Sequence, residues 1–165
     1  MKKPFIIGIT GHKKSGKTTL VEHLAKGLSS NGLIVGTIKT TTHKIEFDTP
    51  GKDTYRHRQA GASVTLIRSA DQIALYSDQN YLNQELLWNA FSGCDIVLVE
   101  GDSKSEHPKI YVAGNQPLRT DITGPVVASW GDIQMLPGIK NFALEQTSEL
   151  VQYIIGLLPD TRNRN

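Results

Sequence analysis

The chain has a single cysteine, Cys94, so no internal disulfide can brace it. That excludes the small disulfide-framed folds and suits a reducing compartment, the cytoplasm; the thiol reads as a small buried hydrophobe just ahead of a strand. Charge of one sign is also missing. The 18 Lys and Arg against 16 Asp and Glu leave a formal net charge of +2, with no run of like charge, so neither nucleic acid nor a membrane surface is an expected partner. No apolar stretch approaches the roughly 20 residues of a membrane span. The opening MKKPFIIGITG begins with charge as a secretion signal does, but its apolar run is short and leads straight into glycine, so it reads as a first strand. Internal repeats and low-complexity tracts are absent, and only the polar PDTRNRN, residues 159–165, looks like a flexible tail. What remains is a chain of 165 residues with 38% hydrophobic content, expected to form one domain over residues 1–158.

The order of its elements points to an α/β fold. FIIGIT, Phe5 to Thr10, suits a strand buried on both faces. Leu20, Val21, Leu24, Ala25 and Leu28 then recur at helical spacing, Asn31-Gly32 stops the helix, and Leu33 to Ile38 forms a second strand. Strand, glycine loop, helix and strand in this order make the βαβ unit of a parallel sheet. SVTLIRS and QIALYS, separated by a short polar stretch, predict an antiparallel hairpin at one edge. Leu82, Leu86, Leu87, Ala90 and Phe91 mark another helix, IVLVEG, KIYVAG and PVVASW further strands, and Leu150, Val151, Ile154, Ile155 and Leu158 a terminal helix. The expected architecture is a three-layer P-loop NTPase-like domain with a mainly parallel sheet.

The chemistry is concentrated in GITGHKKSGKTTL. Gly11, Gly16, Lys17 and Thr18 fill the pattern GxxxxGK[ST] between a strand and a helix. The glycines let successive backbone N–H groups turn toward phosphate, the lysine reaches the β and γ phosphates, and the threonine hydroxyl meets Mg2+. Ser15 and Thr19 complete the nucleotide-binding set, and the helix adds its positive dipole end. Lys13 and Lys14 read as solvent-facing. The metal calls for a carboxylate at the same end of the sheet. In DIVLVEG, Glu100 ends the strand there, whereas Asp95 lies about 16 Å away at a rise of about 3.3 Å per residue. Lys17 and Glu100 are accordingly the candidate catalytic residues, and Gly101 lets the backbone pass close to a ligand.

A third cluster, Ile38 to Ser63, starts at the loop end of the second strand and carries Lys39, His43, Lys44, Asp48, Lys52, Asp53, Arg56, His57 and Arg58 around a Pro-Gly turn. So much charge in one connection suggests a ligand-facing loop. Asp48 is a candidate for the metal and Arg56 for a phosphate, while Asp53 also suits the N-cap of a helix starting TYRHRQA. His43 and His57 match no metal-ligand spacing.

Together, the P-loop, a second strand ending IK, the segment DTPGKDTYRHRQAGA, and a later LVEG followed by PKI resemble MobB, the molybdopterin-guanine dinucleotide biosynthesis protein B family. The resemblance runs from Ile6 to Ile110. It implies a P-loop α/β homodimer that binds GTP with Mg2+, hydrolyses GTP weakly if at all, and assists the molybdopterin guanylyltransferase and other molybdenum cofactor assembly proteins. Carried over by position, Gly11, Gly16, Lys17 and Thr18 hold phosphate, Asp48 and Glu100 serve the metal, and Gly51, Lys52 and Asp53, with Lys39 and Arg56, form the family loop. Where the family reads IKHxHH, this chain has Ile38, Lys39, Thr40, Thr41, Thr42 and His43, and where it reads EGF(Y)K, this chain has Glu100, Gly101, Asp102 and Ser103, with Lys104 one place late.

No NKxD guanine signature is present. Asp132, after the late strand VVASW, is the candidate to bind guanine N1 and N2. The alternative function is a small-molecule kinase that transfers phosphate from ATP to a hydroxyl, with the loop Lys39 to Arg58 as acceptor site and Asp48 or Glu100 as base.

Overall fold

The computed structural model describes residues 3–78, 80–81, 84–132 and 136–159. The expected tail from residue 160 onward and the expected helical position Leu82 lie outside the described residues. The elements are β1 (Phe5–Thr10), α1 (Lys17–Ser30), β2 (Val35–Lys39), α2 (Asp53–Gln59), β3 (Val64–Arg68), β4 (Ile73–Ser77), α3 (Gln84–Asn89), β5 (Ile96–Glu100), β6 (Lys109–Val112), β7 (Val126–Trp130), β8 (Lys140–Phe142) and α4 (Thr147–Leu157). They group into two compact units, a smaller one of Thr42–Ala90 and a larger one formed by the described residues before and after it.

The larger unit is the expected α/β fold. Its six strands run parallel in the order β2-β5-β1-β6-β7-β8. Apolar residues of alternate strand positions, Ile7 and Ile9, Ile96 and Leu98, Ile110 and Val112, form one core with Leu20, Leu24 and Leu28 of α1 and Leu150, Val151 and Ile154 of α4. Spacings of four along α1 and of three and four along α4 place these residues on one stripe of each helix, so both helices bury the same sheet face. Each fully buried leucine there contributes about 1.5–3 kcal/mol relative to exposure. The helices touch closely at Gly27, where a Cβ would stand 2.6 Å from Val151 Cγ2. On the opposite face, Gly8 faces Asp102 and the β6 residue Lys109, and Gly36 faces Phe91 and Cys94 of the connection before β5. Burial there pushes the Cys94 thiol up, and Asp95 adds to the shift, which fits an inert packing role. Strand β8 escaped sequence analysis because it has three residues, of which only Phe142 is buried. No helix among the described residues is long and apolar enough to cross a membrane.

In the smaller unit β3 and β4 form the expected antiparallel hairpin, with Leu66 opposite Leu75 and Arg68 opposite Ile73. The hairpin is a two-stranded sheet of its own and not an edge of the large sheet. The reason is local: β3 packs on α2, with Thr65 buried between its exposed neighbours, so the covered face is already used within the unit. The other face, with Val64, Leu66, Ile73 and Leu75, is exposed.

Candidate functional site

The site is built where the sheet order turns back on itself. The chain leaves β1 to one side for α1 and β2, β5 lies between β1 and β2, and β6 pairs on the other side of β1. In parallel sheets the crevice beyond the strand ends at such a switch point is the ligand site. After Thr10 the chain turns at Gly11, whose φ is 150°. A Cβ there would stand 2.7 Å from the Val112 carbonyl oxygen and 2.9 Å from Ser15 Oγ, so only glycine fits. Gly16 caps α1 in the left-handed region, and the first N–H groups of the helix, at Lys17, Thr18 and Thr19, have no partner within it by construction.

Lys17 Nζ folds back over the loop, donating to the Gly11 carbonyl at 3.1 Å and to the His12 carbonyl. Burial holds its pKa below the usual lysine range, and Lys39 and Arg119 push the same way against the opposing pull of Glu100. A bound phosphate would relieve that strain on the ammonium. Lys13 and Lys14 are exposed, as expected. The buried Oγ atoms of Ser15 and Thr10 have no hydrogen-bond partner among the described residues. An unmet hydroxyl in a phosphate-type loop is what a ligand oxygen would complete.

Glu100 ends β5 beside Lys39 of β2 and Ile9 of β1. Its Oε1 accepts the Thr18 hydroxyl at 2.9 Å and the Lys39 ammonium. The carboxylate is buried, whereas Lys39 is 58% exposed. The carboxylate expected at the loop end of β5 thus lies beside the threonine of the phosphate-type loop. A Mg2+ ion takes hard oxygen ligands at about 2.0–2.1 Å in an octahedron, which sets neighbouring ligands about 2.9 Å apart. The Thr18 and Glu100 oxygens have that separation, so the donor pair fits the ion. Among the described residues there is no cluster of three or more His, Cys, Asp or Glu side chains. A Cβ at Gly101 would stand 2.8 Å from the Thr40 carbonyl oxygen, so glycine there lets the chain pass tightly by the end of β2. Asp95, at the far end of β5, accepts the Ile34 N–H at 2.9 Å and is structural.

Asp132 lies just beyond β7, exposed, and accepts the Leu144 N–H at 3.4 Å. The residue that sequence reasoning missed is Arg119, in the connection from β6 to β7. Its Nη1 donates to the Gly11 carbonyl at 3.4 Å. No periodicity or motif marks it in GNQPLRTDITGP.

The smaller unit holds the rest of the charged loop. Thr49, Pro50, Gly51 and Lys52 make the turn that Pro-Gly predicts, closed by Lys52 N–H to the Thr49 carbonyl at 3.2 Å, with Gly51 at φ 86°. Asp53 is the first helical residue of α2 and Lys52 its N-cap, which corrects the capping expectation. No side chain caps the helix; Asp48, in the turn before it, braces the first turn through the Thr54 side chain. Asp48 is buried and accepts the Thr49 N–H at 2.8 Å and the Thr54 hydroxyl at 3.1 Å, with Arg58 at 3.6 Å. Arg58 also donates to Glu46 at 2.9 Å and lies over the Tyr76 ring. That hydrogen bond holds Glu46 below the usual carboxylate range and Arg58 above its own. Arg56 is 74% exposed and 4.0 Å from Asp53.

Residues 6–127 match the family model of MobB, molybdopterin guanine dinucleotide synthesis protein B. The molybdopterin-guanine dinucleotide biosynthesis adapter protein of Escherichia coli (strain K12) is 31% identical over 150 residues, covering 86% of both chains. A probable protein of the same description from Bacillus subtilis (strain 168) is 34% identical over 114 residues, covering 67% of this chain and 66% of that one. Among solved structures, Bacillus subtilis MobB superposes with a TM-score of 0.75 at 26% identity, covering 94% of this chain and 98% of that chain.

Proposed function

Because this chain belongs to the MobB family, we propose that it is a GTP-binding adapter of molybdopterin guanine dinucleotide biosynthesis, working with Mg2+ in the cytoplasm. The observation that carries the nucleotide part is the junction of Lys17, folded over the Gly11 carbonyl, with the Thr18–Glu100 oxygen pair at 2.9 Å. Lys17 and the N–H groups at the start of α1 bind the phosphates, and Thr18 and Glu100 hold the metal. Bound Mg2+ would neutralise phosphate charge; Lys39, which shares Glu100 with Thr18, yields its place to that ion. GTP hydrolysis is weak at most, and the partner is the guanylyltransferase that attaches GMP to molybdopterin. Calorimetric titration with GTP and with ATP, each with and without Mg2+, tests this reading. Metal-dependent preference for GTP supports it; preference for ATP reinstates the kinase reading.

Guanine selection is assigned to Asp132. Its exposed carboxylate accepts two N–H groups from guanine but none from adenine in the same orientation. Asp132→Asn should lower GTP affinity by about tenfold, the worth of one charged hydrogen-bonding group, and leave ATP affinity alone. Unchanged GTP-to-ATP selectivity in the same titrations would remove Asp132 from the base site.

A homodimer is part of the proposal. Its support is the bare hairpin face of Val64, Leu66, Ile73 and Leu75, where four large apolar side chains from adjacent strands lie exposed together. Sedimentation equilibrium should give twice the chain mass for the native protein and the chain mass for Leu66→Glu/Leu75→Glu. A native protein that sediments as a monomer at micromolar concentration rules this face out as a dimer contact.

A further inference from the structure

We propose that Arg119 is a phosphate-binding residue of the nucleotide site, contacting the terminal phosphate of a nucleoside triphosphate, and that Asp121 positions it. The proposal rests on the P-loop reading above and adds to it a residue that no motif supplies.

The geometry starts from one carbonyl. Gly11 O accepts Lys17 Nζ at 3.1 Å and Arg119 Nη1 at 3.4 Å. Two cationic groups from segments far apart in the chain thus converge at the rim of the loop. Like charges this close are unfavourable, and Arg119 is one of the groups that depress the Lys17 pKa; Asp121 and Glu100 offset part of that cost, and an anion between the two cations would offset more. Lys17 in such loops reaches the β and γ phosphates. A group that shares its carbonyl partner reaches the same part of the ligand. The β phosphate is the one the loop's own N–H groups enclose, so the oxygens left for Arg119 are those of the terminal phosphate.

The guanidinium is also held ready. Its Nε donates to Asp121 Oδ1 at 2.8 Å and its Nη2 to Oδ2 at 2.6 Å, a two-pronged pair that fixes the plane of the group. Asp121 is braced from the other side by Lys104, whose Nζ donates to the Asp121 carbonyl at 2.9 Å and lies 3.5 Å from the carboxylate. Arg119 holds the Asp121 carboxyl well below the usual range, so the pair is fully charged at neutral pH. The loop is tied to the phosphate loop at a second point, where His12 Nε2 donates to the Pro117 carbonyl at 2.6 Å. Of the five guanidinium N–H groups, these contacts use three. One on Nη1 and one on Nη2 remain, the pair that grips two oxygens of one phosphate. With 27% of its side chain exposed, Arg119 is reachable by a ligand in the crevice.

The test titrates the 165-residue chain, in Mg2+, with the β,γ-imido analogue of GTP and with GDP. Arg119→Ala should weaken the triphosphate analogue about tenfold or more and GDP by less than about twofold, since only the terminal phosphate loses a charged partner. Arg119→Lys, which keeps the charge without the fork, should recover part of the loss. Asp121→Asn should reduce the ratio of triphosphate to diphosphate affinity by less than Arg119→Ala does; an unchanged ratio removes its positioning role. Equal losses for both nucleotides, or none, in Arg119→Ala and Arg119→Lys overturn the proposal. Lys17→Ala, run alongside, separates the two levels. If it binds like the native protein, the P-loop reading itself fails; if it loses binding while the Arg119 variants do not, only the role of Arg119 falls.

Discussion

Lys17→Ala is expected to reduce nucleotide affinity at least about a hundredfold and to leave the chain folded. The loss follows from what the ammonium does: it is the one charged side chain of the loop placed to reach two phosphates, and each charge-assisted hydrogen bond contributes about 1.5–3 kcal/mol. The folded state should tolerate the change. Lys17 opens α1, where alanine is a good helix former, and its side chain contributes nothing to the apolar core of Leu20, Leu24 and Leu28. Its two backbone carbonyl partners, of Gly11 and His12, are in a half-buried loop that water reaches, so the stability change stays within about 1 kcal/mol. Calorimetry with GTP and Mg2+ gives the affinity, and thermal unfolding followed by circular dichroism gives the stability. Native-like affinity in the folded variant would falsify the P-loop reading. A large drop in melting temperature would instead show that the ammonium holds the loop together.

How far this site could be read from the sequence depends on how local its parts are. The phosphate loop is contiguous and each residue type answers to a backbone requirement, so Gly11, Gly16, Lys17 and Thr18 were legible without any tertiary knowledge. Strand β1 fell on its predicted residues because an apolar run ended by glycine has one sensible conformation there. Glu100 needed one added assumption, a parallel β5, and the register beside Ile9 and Lys39 supplies it. The helix start at Asp53 was misjudged by one residue because Lys52, with extended backbone and no capping side chain, takes the N-cap position, and a residue type that does not cap leaves no signal there. The hairpin was legible as a pair of alternating strands but not as a separate sheet, since what decides that is α2 packed on β3. Arg119 was invisible for the same reason on a larger scale: its approach to Gly11 joins positions 108 residues apart. Sequence patterns report a residue's neighbours along an element; a loop side chain that serves a distant site leaves no period to detect.

Glu100→Gln should separate the metal from the phosphates. The substitution keeps the size of the side chain and an oxygen able to accept the Thr18 hydroxyl, and removes the negative charge. With Mg2+ present, GTP affinity should fall by about thirtyfold, because the carboxylate is the charged member of the Thr18–Glu100 pair and Mg2+ prefers anionic oxygen. With the metal chelated, affinity should stay the same or rise slightly, since a negative charge next to the phosphates has gone. Lys39 adds a second effect. Its ammonium sits on Glu100 Oε1 in the folded chain and loses its partner in the variant, but at 58% exposure it turns to water at small cost. Stability should therefore hold, in contrast to a buried pair whose remaining charge has no solvent to meet. The freed Lys39 is then available to the phosphates, which reinforces the predicted gain in metal-free binding. Paired titrations with Mg2+ and with chelator decide the matter. Equal losses in both would mean that Glu100 shapes the loop through Thr18 and does not hold the ion.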